Sequence, residues 1–341
     1  MTPSASATPS AIGVASLAAY VWPARAVVRR VAILGASKNA GKTTALLALA
    51  TAACARDGTV GLVSIGVDGE DRDAWLDFAK PRIVVERGAW VVSARAWIDA
   101  VGGAFGIVRD LGFGTALGPT SIAVARARCN IQLGGIGSRA QLRTAVHALS
   151  AQARLVLIDG AYHRQAAAHP EVADAVVVAV GALAGPTLDA AIAASMPTLR
   201  ALLAPTAGLA DPQPVALVEG ALTDAVIAGH PGAATLVARD PSRILLSAAG
   251  WQGLDRRGAL VVVQRAVPLA AVVVNPFRPD GHGEDAQGFG AAVAAAIARH
   301  PVPILDVVAG LGWLGGQELA LQAHQPTIHS AVAAAARDVD A

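Results

Sequence analysis

Apolar runs of strand length recur along this chain, and most give way within a few residues to a helical spacing of apolar positions. The runs at 30–35, 60–65, 155–158, 175–180 and 269–274 are continuous rather than alternating, as strands buried on both faces are. Helical patterns follow at 42–56, at 138–153 with Ser138 as N-cap, from Thr187 onward, and at 285–299; a short last strand is expected at 303–308. This alternation predicts an α/β fold, a doubly wound and mainly parallel sheet with helices on both faces.

Some stretches break the rhythm. Around Gly88, the runs at 83–85 and 89–93 predict a hairpin or a pair of edge strands, and the glycine-rich run 102–118 reads as loop. Strand candidates at 216–218, 235–238 and 260–263 lie in a less regular stretch, 205–268, read as an insertion. The organisation expected is a flexible tail and lead-in at 1–28, a nucleotide-binding domain at 29–204, the insertion, completion of the sheet at 269–308, and a tail at 309–341 made of a Gly-Trp loop and an Ala-rich helix. Residues 1–12 lack the charged and apolar regions of a signal peptide, so the expected setting is cytoplasmic.

The strongest chemical signal lies where the first strand runs into its helix: Gly35-Ala36-Ser37-Lys38-Asn39-Ala40-Gly41-Lys42-Thr43-Thr44. A loop at a helix N-terminus meets phosphate charge with converging backbone N–H groups and the positive end of the helix dipole. Gly41 permits close backbone approach, Lys42 reaches β- and γ-phosphate oxygens, and the Thr43 hydroxyl is placed for Mg²⁺. One departure stands out. The spacing G-x-x-x-x-G-K-[ST] puts its first glycine at Ala36, whereas the available glycine is Gly35, so a need for positive φ at Ala36 would move the start of the turn to Gly35.

Two aspartates end strands on the same edge. Asp68 follows the 60–65 run and is a candidate for the attacking water or the metal's outer shell; Asp159 closes the 155–158 run and is a candidate Mg²⁺ ligand. Arg164 is open between a phosphate contact and a carboxylate partner.

Composition narrows the function classes. Of 341 residues, 54% are hydrophobic, only 4% aromatic and 15% charged, so the core must be Val, Leu, Ile and Ala. A formal charge of +2 without a basic block argues against nucleic-acid binding, and the apolar runs are too short to span a membrane. Cys54 and Cys129 show no metal or redox spacing and read as buried small hydrophobes, and the eight histidines read as solvated or capping. The absence of an Asn-Lys-x-Asp guanine-reading motif favours ATP over GTP.

The order of glycine loop, Asp68, Asp159, the 175–180 strand and Val-Val-Val-Asn-Pro resembles the dethiobiotin synthetase branch of P-loop proteins, which implies that Asn275 lies near the adenine base. A closer resemblance is to the ATP-binding subunit of the lysine and ornithine aminomutase reactivase family. It is carried by residues 35–44, by Ser-Ile-Gly-Val-Asp-Gly-Glu at 64–70, by Lys-Pro-Arg-Ile-Val-Val-Glu-Arg-Gly at 80–88 and by Asp-Gly-Ala-Tyr-His-Arg at 159–164. That resemblance implies a P-loop ATPase using ATP and Mg²⁺, with an adenosylcobalamin-dependent aminomutase and a second reactivase subunit as partners. Two alternatives stay open: a small-molecule enzyme of dethiobiotin synthetase type with 102–137 shaping its pocket, and a nucleotide-binding interaction module with negligible turnover.

Overall fold

The computed structural model describes residues 8–22, 28–57, 59–65, 83–160, 165–208, 212–278 and 285–321. Strands β1 (Arg30–Gly35), β2 (Val60–Ile65), β3 (Trp90–Ala94), β4 (Phe105–Thr115), β5 (Gly118–Ala125), β6 (Leu155–Gly160), β7 (Ala175–Gly181), β8 (Leu269–Asn275), β9 (Ile304–Asp306), β10 (Leu311–Leu314) and β11 (Gln317–Glu318) form one eleven-stranded sheet. Their spatial order is β11-β10-β9-β8-β7-β1-β6-β2-β3-β5-β4. From β9 across to β3 every neighbouring pair is parallel, and an antiparallel hairpin closes each edge. The apolar runs are continuous because both faces are covered: every residue of β2 and β7 is buried.

Helices α1 (Ala11–Val21) and α2 (Lys42–Asp57) lie on one face, while α3 (Arg139–Ser150), α4 (Leu188–Leu202) and α5 (Ala286–Ala296) lie on the other. The period of two divides β1 between them. Val31 and Ile33 pack with Leu17 of α1 and Leu46 and Leu49 of α2; Ala32 and Leu34 join the core of Leu142, Leu199 and Phe289. Ser138, Thr187 and Asp285 each cap the following helix through a side-chain oxygen. The architecture is thus mixed α/β on a large, mostly parallel sheet. Among the described residues no helix is long and apolar enough to cross a membrane.

Several sequence expectations are corrected. The 1–28 lead-in, expected to be flexible, holds the packed helix α1, capped by Ser10, whose N–H donates to the Val307 carbonyl at 2.8 Å. Its buried face is largely Val, Leu and Ala, and Gly13 fits directly on the Val307 backbone. Ile83–Val85 pairs with Cys129–Ile131 rather than with the strand after Gly88, which instead enters the main sheet as β3. The glycine-rich 102–118 stretch is mostly strand. Gly112 (φ 75°) lies within one register shift of the β4–β5 pairing, between Asp110 and Gly114, and Gly118 (φ 91°) sits at the turn. The Gly-Trp stretch after 309 is the β10–β11 hairpin, turned at Gly315 and Gly316 (φ 58° and 82°). The Ala-rich segment from 322 lies outside the described residues.

The insertion is more regular than its sequence reads. Val215–Leu217, Thr235–Ala238 and Leu260–Val263 form a separate three-stranded parallel sheet over a core of Leu222, Leu236, Ile244, Trp251 and Leu254. It is tied to α4, where Arg200 pairs with Asp255 at 2.6 Å and stacks 4.2 Å above the Trp251 ring.

Candidate functional site

The edge at the C-terminal ends of the parallel strands brings together most of the residues singled out by sequence. β1 lies between β6 and β7, so the 36–41 turn that follows it is flanked on both sides by strand ends. Ala36 remains tied to the sheet, its N–H donating to Ala179 at 2.8 Å. Ser37 and Ala40 are buried, whereas Lys38 and Asn39 are exposed at the crown.

The special backbone positions differ from those the motif spacing suggested. Neither Gly35 nor Ala36 takes positive φ; that role falls to Asn39 (φ 55°) and Gly41 (φ 96°). Asparagine tolerates the left-handed region better than other side-chain-bearing residues, so an Asn-x-Gly crown turns the chain without a leading glycine at position 36. Gly35 is required for another reason. A Cβ there would stand 2.9 Å from the Ser37 carbonyl oxygen and 3.0 Å from Lys42 Cδ, so the absent side chain makes room for the lysine stem folded back across the loop's start.

Lys42 opens α2, with Thr43 and Thr44 in the same first turn, all three half-buried. The first N–H groups of a helix have no intrahelical acceptor, and α2 has no acidic residue in that turn to compete for them. The N-terminus of a sixteen-residue helix and a half-buried lysine therefore share one end of the sheet.

Asp159 stands in β6, directly beside β1 and in register with Ile33 on one side and Ser64 of β2 on the other. The Ser64 hydroxyl donates to its Oδ2 at 3.2 Å, orienting the carboxylate at the strand end. Asp68 and Arg164 lie outside the described residues. Among the described residues, no group of three or more His, Cys, Asp or Glu side chains is arranged to hold a metal ion.

The ends of β7 and β8 complete the surroundings. A Cβ at Gly181 would fall 2.8 Å from Ala40 Cα, so the loop rests on this strand-end glycine. Asn275 approaches from β8 and donates through Nδ2 to the Asn39 carbonyl at 3.2 Å; its Cβ would be 3.1 Å from a Cβ on Gly41. Three residues further, Arg278 donates through Nη1 to the carbonyls of Ala182 and Gly185, both at 3.0 Å, fastening the turn after β7. Sequence reasoning did not single out Ser64, Gly181 or Arg278 as site residues. The only sequence cue for Gly181 is a glycine closing a fully apolar strand.

The remaining candidates have other surroundings. Cys54 and Cys129 are half-buried against the α1–α2 face, and burial, with Glu86 adding to it, pushes the Cys54 thiol up to about 11. Little thiolate is present at neutral pH. His169 is buried against the insertion, its Nε2 3.6 Å from Asp240 Oδ2, with Nδ1 accepting the Glu171 N–H. Comparison with family models, with curated proteins and with solved structures finds no match.

Proposed function

We propose that this chain is a P-loop ATPase whose nucleotide cycle acts on a partner protein, and that the partner is an adenosylcobalamin-dependent lysine or ornithine aminomutase, reactivated together with a second reactivase subunit in a cytoplasmic setting. One arrangement supports the nucleotide part: a loop turned at Asn39 and Gly41, Lys42 folded back over Gly35, and Asp159 on the adjacent strand. Positions 35 and 181 are glycines where a Cβ would crowd the loop or Lys42, and at Gly41 it would crowd Asn275, which suits close approach of backbone N–H groups to phosphate oxygens.

In this reading the backbone around Gly41 cradles phosphates and the Lys42 ammonium neutralises their charge. The Thr43 hydroxyl and the Asp159 carboxylate would hold Mg²⁺, which would supply positive charge to offset that of the phosphates. Ser64 fixes the Asp159 carboxylate, and Asp68 orients water. The reactivase part rests on the four family-like segments, of which 35–44 is described throughout. A protein that remodels a partner must bind it with different affinity in its ATP and ADP states, since only differential affinity shifts an equilibrium.

The test is ATP hydrolysis and binding with Mg²⁺, measured alone and with a turnover-inactivated aminomutase, its companion subunit and fresh adenosylcobalamin. Recovery of mutase activity that requires ATP is the expected result. ADP formation that depends on a small molecule instead would support the dethiobiotin synthetase-type reading, and nucleotide binding without turnover the interaction module. Within the site, Asp159→Asn should weaken Mg²⁺-dependent nucleotide binding, whereas Asp68→Asn should spare binding and slow hydrolysis. The reverse pattern exchanges their roles.

A further inference from the structure

Both ends of the Asn275 amide are engaged by backbone: Nδ2 donates to the Asn39 carbonyl at 3.2 Å, and Oδ1 accepts the Phe277 N–H at 3.3 Å. A side chain that reads the edge of a base must turn a donor or acceptor outward. Here one N–H and one lone pair of the amide face the chain. The Asn39 carbonyl and the Ala40 N–H belong to one trans peptide unit and point in opposite directions, so a bond holding the carbonyl toward β8 aims the Ala40 N–H away from Asn275. The 39–41 turn is packed from two sides, with Gly181 beneath Ala40 and Asn275 against Gly41.

We infer that Asn275 is a positioning residue for the phosphate loop, acting on the triphosphate through the Asn39–Ala40 peptide and not on the base. This assignment rests on the nucleotide-binding reading above. It makes the end of β8 part of the loop's support, as Gly181 makes the end of β7.

The experiment titrates wild type, Asn275→Ala and Asn275→Leu with ATP and, separately, with inorganic tripolyphosphate, both with Mg²⁺. Leucine has the same number of heavy atoms as asparagine and the same branch at Cγ, so it keeps the contact with Gly41 while removing both polar ends, and it decides the question if the alanine variant does not fold. Both variants should lose affinity for both ligands by the same factor, about 3- to 10-fold, the range of one net hydrogen bond. Amide exchange should quicken at residues 39–41 while β7 and β8 stay protected. Weaker ATP binding with unchanged tripolyphosphate binding would return Asn275 to the base, and unchanged binding of both ligands would leave the loop held without it; either result overturns the assignment. Wild-type protein that binds neither ligand removes the nucleotide reading itself, a result distinct from variants failing where wild type binds.

Discussion

The central strands of the main sheet and the inserted sheet at 205–268 are both parallel, yet they use their strand ends differently. In the main sheet β1 ends in the Asn39–Gly41 turn, β6 in Asp159, β7 in Gly181 and β8 in Asn275, all on one edge. In the insertion, the residues just beyond the strands are taken up by pairing: Arg239 pairs with Glu219 at 2.5 Å, and Asp240 Oδ1 accepts the Ser242 N–H at 3.0 Å while Oδ2 faces His169 of the main domain. One edge gathers the candidate site residues, whereas in the other the strand-end residues are taken up by pairing, within the insertion or with His169 of the main domain. Strand type does not separate them; the residues placed past the strand ends do.

The largest expected effect tests whether the two regions are separable. Trp251 is 5% exposed and lies beneath Arg200, so Trp251→Ala should cost about 3 to 5 kcal/mol of the insertion's stability. If the comparison holds, nucleotide affinity survives at temperatures where the insertion is still folded. Loss of nucleotide binding under native conditions would show that the insertion supports the loop edge.

Next comes Lys42→Ala, which removes a charge-assisted contact of about 1.5 to 3 kcal/mol and should lower ATP affinity about 10- to 150-fold by calorimetry. Wild-type affinity in that variant would falsify the assignment of chemistry to this edge. Gly181→Ala probes the support beneath the loop. Its new Cβ meets Ala40 Cα at 2.8 Å, so the loop must shift, at about 1 to 3 kcal/mol of lost nucleotide binding with the sheet intact.

The smallest effect concerns the boundary between the two regions. Burial lowers the His169 pKa below its ordinary 6.5, with Asp240 and Glu171 opposing and Arg139 and Arg265 reinforcing the shift. The unfolded chain therefore takes up this proton first, so stability falls as pH drops below 6.5 toward the folded pKa. His169→Gln should flatten that decline in urea titrations at successive pH values; an unchanged slope would remove His169 as its source.

Sequence alone made much of the main sheet legible, because runs such as 175–180 and 269–274 are continuous, strand-length and sharply ended. The placement of Lys42, Thr43 and Asp159 at one end of the sheet was legible because each sits at a recognisable strand or helix boundary. Helix α1 was hidden by the Ser, Ala and Pro content around it, although Ser10 is its N-cap. The β4–β5 hairpin was hidden by glycines that serve bulges and turns while the strands still pair. The left-handed crown at Asn39 could not be read from spacing, since the motif drew attention to position 36. Gly181 and Ser64 become site residues only through neighbours on other strands, a relation that exists in the sheet and not along the chain.

Separation along the chain gives the Asn39–Asn275 hydrogen bond a meaning in time. Its partners lie 236 residues apart, and Ser10 of α1 meets Val307 across 297. A ribosome delivers the loop long before β8, and the loop then waits without its clamp until β8 has been made and has closed against β7. A translation product that stops before Asn275 carries the whole glycine-lysine motif and lacks the contact that steadies it, so the motif matures only once β8 has been made.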